Sequence, residues 1–311
     1  MYFFKDRFKS SYNPNATIGL DIGSRMIKWV CLDQSHALKY YGIQAIPFPV
    51  TGSRRDVKIA ALLKETLVER EFIKNCILNI PDSLSFSQWV EIDYPGDQNI
   101  NEVIELLVEK SIFCPLNKIY FDYQVFYLSP KNKKTCNIFI VVCRKEDLDF
   151  RLNIIHEADL IPTVVEINSH ALERAYLFFY PDFNKGNNIL LEIGSSQLTL
   201  LFFNNAKTVV YCENLLNITN EKSILLQIKR GIKRYALSHP CCVLNEIHLI
   251  CSNKLLINYL LSQLNGFLEL KARKLKKGHA MNSELNKNFS SLFLSYGLAL
   301  RAYLNQSEQD R

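Results

Sequence analysis

Two stretches of this chain spell the same phrase. Leu20, Asp21, Ile22, Gly23, Ser24, Arg25, Met26, Ile27, Lys28 aligns without a gap on Leu191, Glu192, Ile193, Gly194, Ser195, Ser196, Gln197, Leu198, Thr199, with four identities and an Asp/Glu exchange. Each copy reads as a strand ending in an acid, a Gly-Ser turn and a returning strand. Backbone N–H groups and hydroxyls at such a hairpin tip bind phosphate oxygens, and the acid holds a hydrated Mg²⁺ against them. One copy alone is an ordinary tight hairpin with turn-forming residues. Two copies in phase, each opening one half of the chain, predict a duplicated α/β fold whose hairpins face each other across one cleft.

The rest of the chain is consistent with two domains. At 311 residues and 48% apolar it buries a sizeable core without staples, and its 22% of charged residues argues against long disordered tails. The net charge of +6 falls short of a nucleic-acid binder's basic stripe, so no nucleic-acid partner is expected. Nine cysteines form no CxxC pair and no zinc spacing. They read as reduced core thiols, and with neither a signal peptide nor an apolar run long enough to span a bilayer the chain is expected in the cytoplasm.

Apolar spacing predicts helices over residues 56–70, 100–112, 145–158, 171–179 and 221–235, and strands over 76–80, 86–92, 119–128, 137–143 and 163–167. Residues 1–15 read as a flexible leader, 16–185 as a first domain and 186–311 as a shortened second one, the turn-rich cluster at 181–188 marking the boundary. A small α+β insertion is expected at about 51–125. The basic run Lys271, Arg273, Lys274, Lys276, Lys277 reads as a solvated loop, or as a surface drawn to anionic headgroups.

The duplicated hairpin resembles the actin-like ATPase superfamily, and the chain as a whole resembles the PilM family of type IV pilus machines. The likeness runs through Phe3, Phe4 and Lys5, residues 18–28, 115–125 and 144–175, and Tyr296, Gly297, Leu298, Ala299 near the end. It implies an actin-like, ribonuclease H-like fold in two domains. It implies a nucleotide site at Asp21, Gly23, Ser24 and Lys28 in the first hairpin and Glu192, Gly194, Ser195 and Thr199 in the second, with Asp21 as the Mg²⁺ position when ATP binds. It also implies a groove for the N-terminal cytoplasmic peptide of PilN, a bitopic inner-membrane protein, with Pro115, Leu116, Tyr120, Asp122 and Tyr123 as the candidate contacts. Such a protein sits at the inner face of the inner membrane through its partner, and other platform proteins or the assembly ATPase are further partners the resemblance suggests.

Several positions depart from the family pattern. Glu192 stands where relatives usually have Asp, and Asn168 where they carry an acid to orient water. Relatives have Gly-Gly pairs after the second hairpin and in the adenosine-binding turn, whereas residues 213–217 and 250–254 contain no glycine here. The chain between these stretches is also too short for the small subdomain that walls the adenosine pocket. The resulting expectation is a scaffold that requires no cofactor and has negligible ATP turnover. The alternative is an active Mg·ATPase whose nucleotide state gates the partner. A sugar or acetate kinase of the same superfamily would need a substrate aspartate and a complete adenosine turn, neither of which the sequence displays.

Overall fold

The computed structural model describes residues 16–47, 55–70, 72–93, 99–112, 114–129, 132–181, 186–204, 208–215, 220–275 and 285–309. The leader, residues 182–185 of the boundary cluster and the Lys276–Lys277 part of the basic run lie outside them. The first sheet is built from β1 (Thr17–Ile22), β2 (Met26–Leu32), β3 (Leu38–Ala45), β4 (Asn75–Ile80) and β8 (Ile161–Ile167), in the order β3-β2-β1-β4-β8. β1, β2 and β3 are antiparallel neighbours, and β4 runs parallel to both β1 and β8. Strands β1 and β4 are buried along their whole length, as strands covered on both faces must be.

The second sheet repeats this plan. Strands β9 (Ile189–Ile193), β10 (Gln197–Phe202), β11 (Val209–Asn214), β12 (Glu246–Cys251) and β13 (Lys271–Lys274) are ordered β11-β10-β9-β12-β13 with the same parallel and antiparallel pairings. In the first half α1 (Arg55–Leu67) joins β3 to β4, and α5 (Glu221–Ser238) occupies the same place between β11 and β12. α3 (Lys145–Glu157) leads into β8 as α6 (Lys254–Leu264) leads towards β13. α4 (Asn168–Phe179) follows β8, and α7 (Leu285–Gln309) follows β13. The repeat seen in nine residues is therefore a repeat of the whole fold.

The last helix of each half lies in a core shared by both sheets. Ile77 and Val164 from the first sheet, Leu190, Leu201 and Ile250 from the second, and Ala171, Ala175 and Leu298 from α4 and α7 form one buried cluster. Two glycines let the backbones approach there. A Cβ at Gly297 would lie 1.9 Å from the Ala171 carbonyl oxygen, and one at Gly19 would lie 2.2 Å from the backbone of Ser295 and Ala299. That explains the Tyr-Gly-Leu-Ala stretch of α7 on packing grounds.

The inserted lobe is where the sequence-based limits need correction. α1 and β4 fall within the expected 51–125 insertion but belong to the first domain, β4 in the middle of its sheet. The lobe consists of β5 (Ser85–Asp93), α2 (Ile100–Ser111), β6 (Ile119–Ser129) and β7 (Asn132–Arg144), with its own sheet ordered β5-β7-β6. Residues 75–80 and 86–92 both read as strands, and apolar patterning does not reveal which sheet a strand joins. One face of the lobe sheet packs under α2 through Ile138, Ile140 and Val142. The alternate residues Phe139, Val141 and Cys143 pack on the first domain.

Candidate functional site

The two Gly-Ser turns meet. Ser24 Oγ and Ser195 Oγ, 171 residues apart in sequence, are 2.8 Å from each other across the gap between the sheets. Each turn is closed by its glycine, whose N–H donates to Met26 O in the first hairpin and to Gln197 O in the second, both at 2.9 Å. Those two N–H groups are thus used within the turns and are not offered to a ligand. Neither turn glycine has a left-handed backbone. A Cβ at Gly23 would lie a tight 3.1 Å from Met26 O, whereas one at Gly194 would make an ordinary 3.4 Å contact with Gln197 O.

Behind the turns is a cleft of about 580 Å³ lined by Asp21, Lys28, Asn79, Arg151, Asn168 and Glu192 among others. Asp21 is held on both oxygens, with Lys28 Nζ donating to Oδ2 at 2.8 Å and Asn79 Nδ2 to Oδ1 at 3.1 Å. Asn79 also donates to Asn168 Oδ1 at 3.0 Å and accepts from the Ile22 N–H at 2.9 Å. The buried Arg151 caps the strand ends by donating to Ile22 O at 3.0 Å and Asn79 Oδ1 at 3.2 Å. Burial opposes the charge on Lys28, but Asp21, with Glu192 behind it, holds its pKa above the ordinary lysine value. Burial pushes Arg151 down to about 10 against the pull of Asp21 and Asp147.

Two acids near this cleft have raised pKa values. Burial lifts Glu192 to about 7, partly offset by Lys28 and reinforced by Asp21. Burial lifts Asp82 to about 6, although its carboxylate accepts the Ser169 N–H at 3.0 Å at the start of α4 as well as the Ser169 hydroxyl. The neighbouring Ser83 hydroxyl donates to Gln197 Oε1 at 3.0 Å, and Gln197 in turn donates to Thr199 Oγ1 at 3.0 Å. Asp82, Asn79 and Arg151 were not singled out from sequence, because each is an isolated polar residue in an unremarkable context, and Gln197 lies in the second copy of the phrase without having been read as a site residue.

Mg·ATP would need an unpaired acid for the metal and free hydroxyls beside the phosphates. The acid that would hold the metal is engaged by Lys28 and Asn79, and the two hydroxyls that would flank a phosphate are bonded to each other. On the nucleoside side, Leu215 is buried and its N–H donates to Ser196 O at 2.8 Å, so the chain after β11 folds down beside the second hairpin. Asn253 caps α6 by accepting from Leu255 and Leu256 N–H at 3.0 and 3.2 Å. Among the described residues between β11 and β12, α5 is the sole helix. In this closed arrangement Asp21 and the two serine hydroxyls are paired with protein groups. Residues 216 and 217 of the expected glycine-free turn lie outside the described residues.

Two further clefts border the lobe. One, of about 930 Å³, lies between the C-terminal end of α2, the turn at 114–119 and the start of α3. Ser83, Leu84, Glu146 and Asp147 line both it and the cleft between the hairpins. The other, of about 850 Å³, lies between the face of the lobe sheet that looks at the first domain, α4 and the strand β11. Its wall is aromatic. Trp89 and Phe126 are each 39% exposed, and the Trp89 ring stands 5.1 Å from Phe126 and 4.9 Å from Phe139 between centroids. Opposite stands α4, where Arg174 forms a two-pronged pair with Glu166 and also donates to Gly297 O at 2.8 Å. Burial pushes the nearby His170 down to about 4, so it is neutral at physiological pH.

A family model for the type IV pilus assembly protein PilM matches residues 19–216, which take in the first sheet, the lobe and the second hairpin. The chain belongs to the PilM family. Its structure is similar to a PilM-PilN type IV pilus biogenesis complex, with a TM-score of 0.79, 16% identity, and coverage of 93% of this chain and 99% of that one. It is similar, more distantly, to the cytoplasmic domain of EpsL, an inner membrane component of the type II secretion system of Vibrio cholerae (TM-score 0.51, 9% identity, 93% and 94% coverage). The ethanolamine utilization protein EutJ from Carboxydothermus hydrogenoformans also matches (TM-score 0.51, 10% identity, 91% and 88% coverage). These likenesses are of fold, and the fold is the actin-like one expected. No helix among the described residues is long and apolar enough to cross a membrane.

Of the five residues expected to hold a partner, Leu116, Tyr120 and Tyr123 have framework contacts. The Tyr120 hydroxyl donates to Asp149 Oδ1 at 3.1 Å, tying β6 to α3, and the Tyr123 hydroxyl donates to Asn101 on α2. Asp122 accepts the Tyr123 N–H at 2.8 Å, and Leu116 packs into the α2 cluster beside the exposed Pro115. None of the five is among the residues lining either lobe cleft. Trp89 and Phe126, which do line one, were missed. From sequence they were only members of the strand-like runs 86–92 and 119–128, which cannot tell a docking wall from a solvated sheet face.

Proposed function

We propose that the chain is a scaffold of the type IV pilus assembly platform, docking the cytoplasmic tail peptide of a PilN-like bitopic membrane protein. The peptide lies in the 850 Å³ cleft between lobe and first domain. The observation that carries this reading is the wall formed by Trp89 and Phe126, two large rings left partly open to solvent inside a concave site. Aromatic anchors in such a site dominate peptide recognition, and extended peptides are held by side-chain pockets and main-chain hydrogen bonds without any chemical step. The protein is held at the inner face of the membrane by this partner. Trp29 is buried, so a change of tryptophan emission on titrating the tail peptide reports on Trp89. Nucleotide-free binding is expected, weakened about thirty-fold by Trp89→Ala, the ~2 kcal/mol typical of an anchor residue. Binding that ignores Trp89→Ala and Phe126→Ala would remove the peptide from this cleft.

A second reading, in which Mg·ATP gates the partner, is favoured by the retained Asp21, by the two hairpins and by the residues common to the hairpin cleft and the 930 Å³ cleft. We infer that nucleotide is not required, because the groups it would use are already paired with each other. Calorimetry with Mg·ATP decides between the readings: an affinity no better than about millimolar is expected, and micromolar binding abolished by Asp21→Ala would establish the gated mechanism.

A further inference from the structure

Two exposed helix faces carry mirrored patterns that neither the hairpin cleft nor the lobe clefts use. On α2, Glu102, Leu106 and Glu109 follow one another at offsets of four and seven residues, with Glu105 alongside. On α5, Lys222, Leu226 and Lys229 repeat the same offsets with every acid replaced by lysine, and Lys233 and Leu237 continue the stripe. Residues at these spacings share one side of a helix. The buried side of α2 is Ile104 and Val108, and that of α5 is Ile224, Ile228, Ile232 and Tyr235, so the stripes lie away from the buried sides. Glu102, Glu105, Glu109, Lys222 and Lys233 are exposed, and Lys229 is half-buried with its ammonium 4.7 Å from the Phe267 ring centroid. The leucines within the stripes are open to solvent: Leu106 is 56%, Leu226 60% and Leu237 83% exposed. α2 belongs to the lobe and α5 to the second sheet, and these exposures mean that neither face covers the other within one chain.

We propose that the α2 face of one molecule docks on the α5 face of a second copy of this chain. The match is twofold. Acids oppose lysines at equal spacing, which selects orientation and register, and exposed leucines within both stripes supply the apolar contact that exposed ion pairs alone do not provide. Because the two faces are different surfaces, the contact is head to tail and repeats from copy to copy. Other occupants of the α5 face, an anionic bilayer or an acidic protein, would leave the acidic α2 stripe unexplained.

Sedimentation of the purified full chain at about 0.05 M salt, where screening is weak, tests this directly. Species of dimer size or larger are expected as concentration rises, and they should dissociate as salt is added. The reversals Glu105→Lys with Glu109→Lys, and separately Lys222→Glu with Lys233→Glu, should each leave a monomer with unchanged thermal stability. Mixing the two variants should restore association, since the basic α2 of one then meets the acidic α5 of the other. A wild-type chain that stays monomeric, association that survives either reversal, or a mixture that fails to recover overturns the proposal. So does a monomer whose α5 lysines bind phosphatidylglycerol vesicles instead.

Discussion

The two hairpins are superposable in topology and opposite in electrostatic finish. In the first, Asp21 faces Lys28 across the antiparallel pair, and Asn79 follows Leu78, the partner of Leu20, on the parallel strand. In the second, Glu192 faces Thr199, and the position on the parallel strand is Ile250. The first acid therefore has a cation and an amide, and the second has a hydroxyl-bearing residue and a hydrocarbon neighbour. That difference explains why burial lifts Glu192 to about 7 while Asp21 sits in a bonded network. A duplicated backbone keeps its shape under apolar packing alone. Its site chemistry depends on a few side chains that drift independently in each copy.

Removing the amide that distinguishes the first hairpin should have the largest effect. Asn79→Leu imitates the apolar residue of the second half, but it strands the Ile22 N–H, one oxygen of Asp21 and part of Arg151 in a buried site. A loss of about 3–5 kcal/mol in urea unfolding is expected, because buried charges and donors lose their partners. If the variant is as stable as the wild type, the network around Asp21 is not what organises the first hairpin.

Neutralising the second acid should act in the opposite direction. The Glu192 carboxyl, with a folded pKa of about 7 against an ordinary value of 4.5, binds more protons in the native state than in the unfolded one between those limits. Its contribution to stability is therefore full below about pH 4.5 and is lost as pH rises through about 7. Glu192→Gln should stabilise the protein by roughly 1–3 kcal/mol at pH 8 and flatten the decline between pH 5 and pH 8. Thermal unfolding across that range checks it, and an unchanged slope would mean that the carboxyl is solvated.

The smallest effect should come from the contact between the turns. Ser195→Ala removes the bond to Ser24 at a partly buried site and should cost about 0.5–1.5 kcal/mol. Hydrogen exchange at the two turns is the sharper readout. Protection should fall in both hairpins together if the hydroxyl pair holds the cleft closed, and in the second alone if it does not.

Much of the fold was legible locally. The helices at 100–111 and 145–157 and the strands of the lobe follow the apolar spacing of their own residues, and the observed ends differ from the expected ones by a few positions. The lobe's limits were not legible, since β4 and β5 are consecutive, similar in length and assigned to different sheets. In the candidate site, Asp21, Ser24, Glu192 and Ser195 were visible because turn chemistry makes the hairpin a contiguous pattern. Asn79 and Arg151 were invisible, because what makes them important is contact with residues far away in the chain.

The sequence by itself determined the hairpins, most of the helices and strands, and the fact of a duplication, all of which arise from turn residues and apolar periodicity within short windows. Tertiary structure alone decided which partner each acid received. Asn79 reaches Asp21 across 58 positions, Arg151 reaches Ile22 across 129, and Ser24 meets Ser195 across 171. Burial, charge balance and pKa at the cleft follow from those long-range registers. A one-residue shift of β4 against β1 would turn Asn79 to the other face of the sheet and leave every local pattern unchanged.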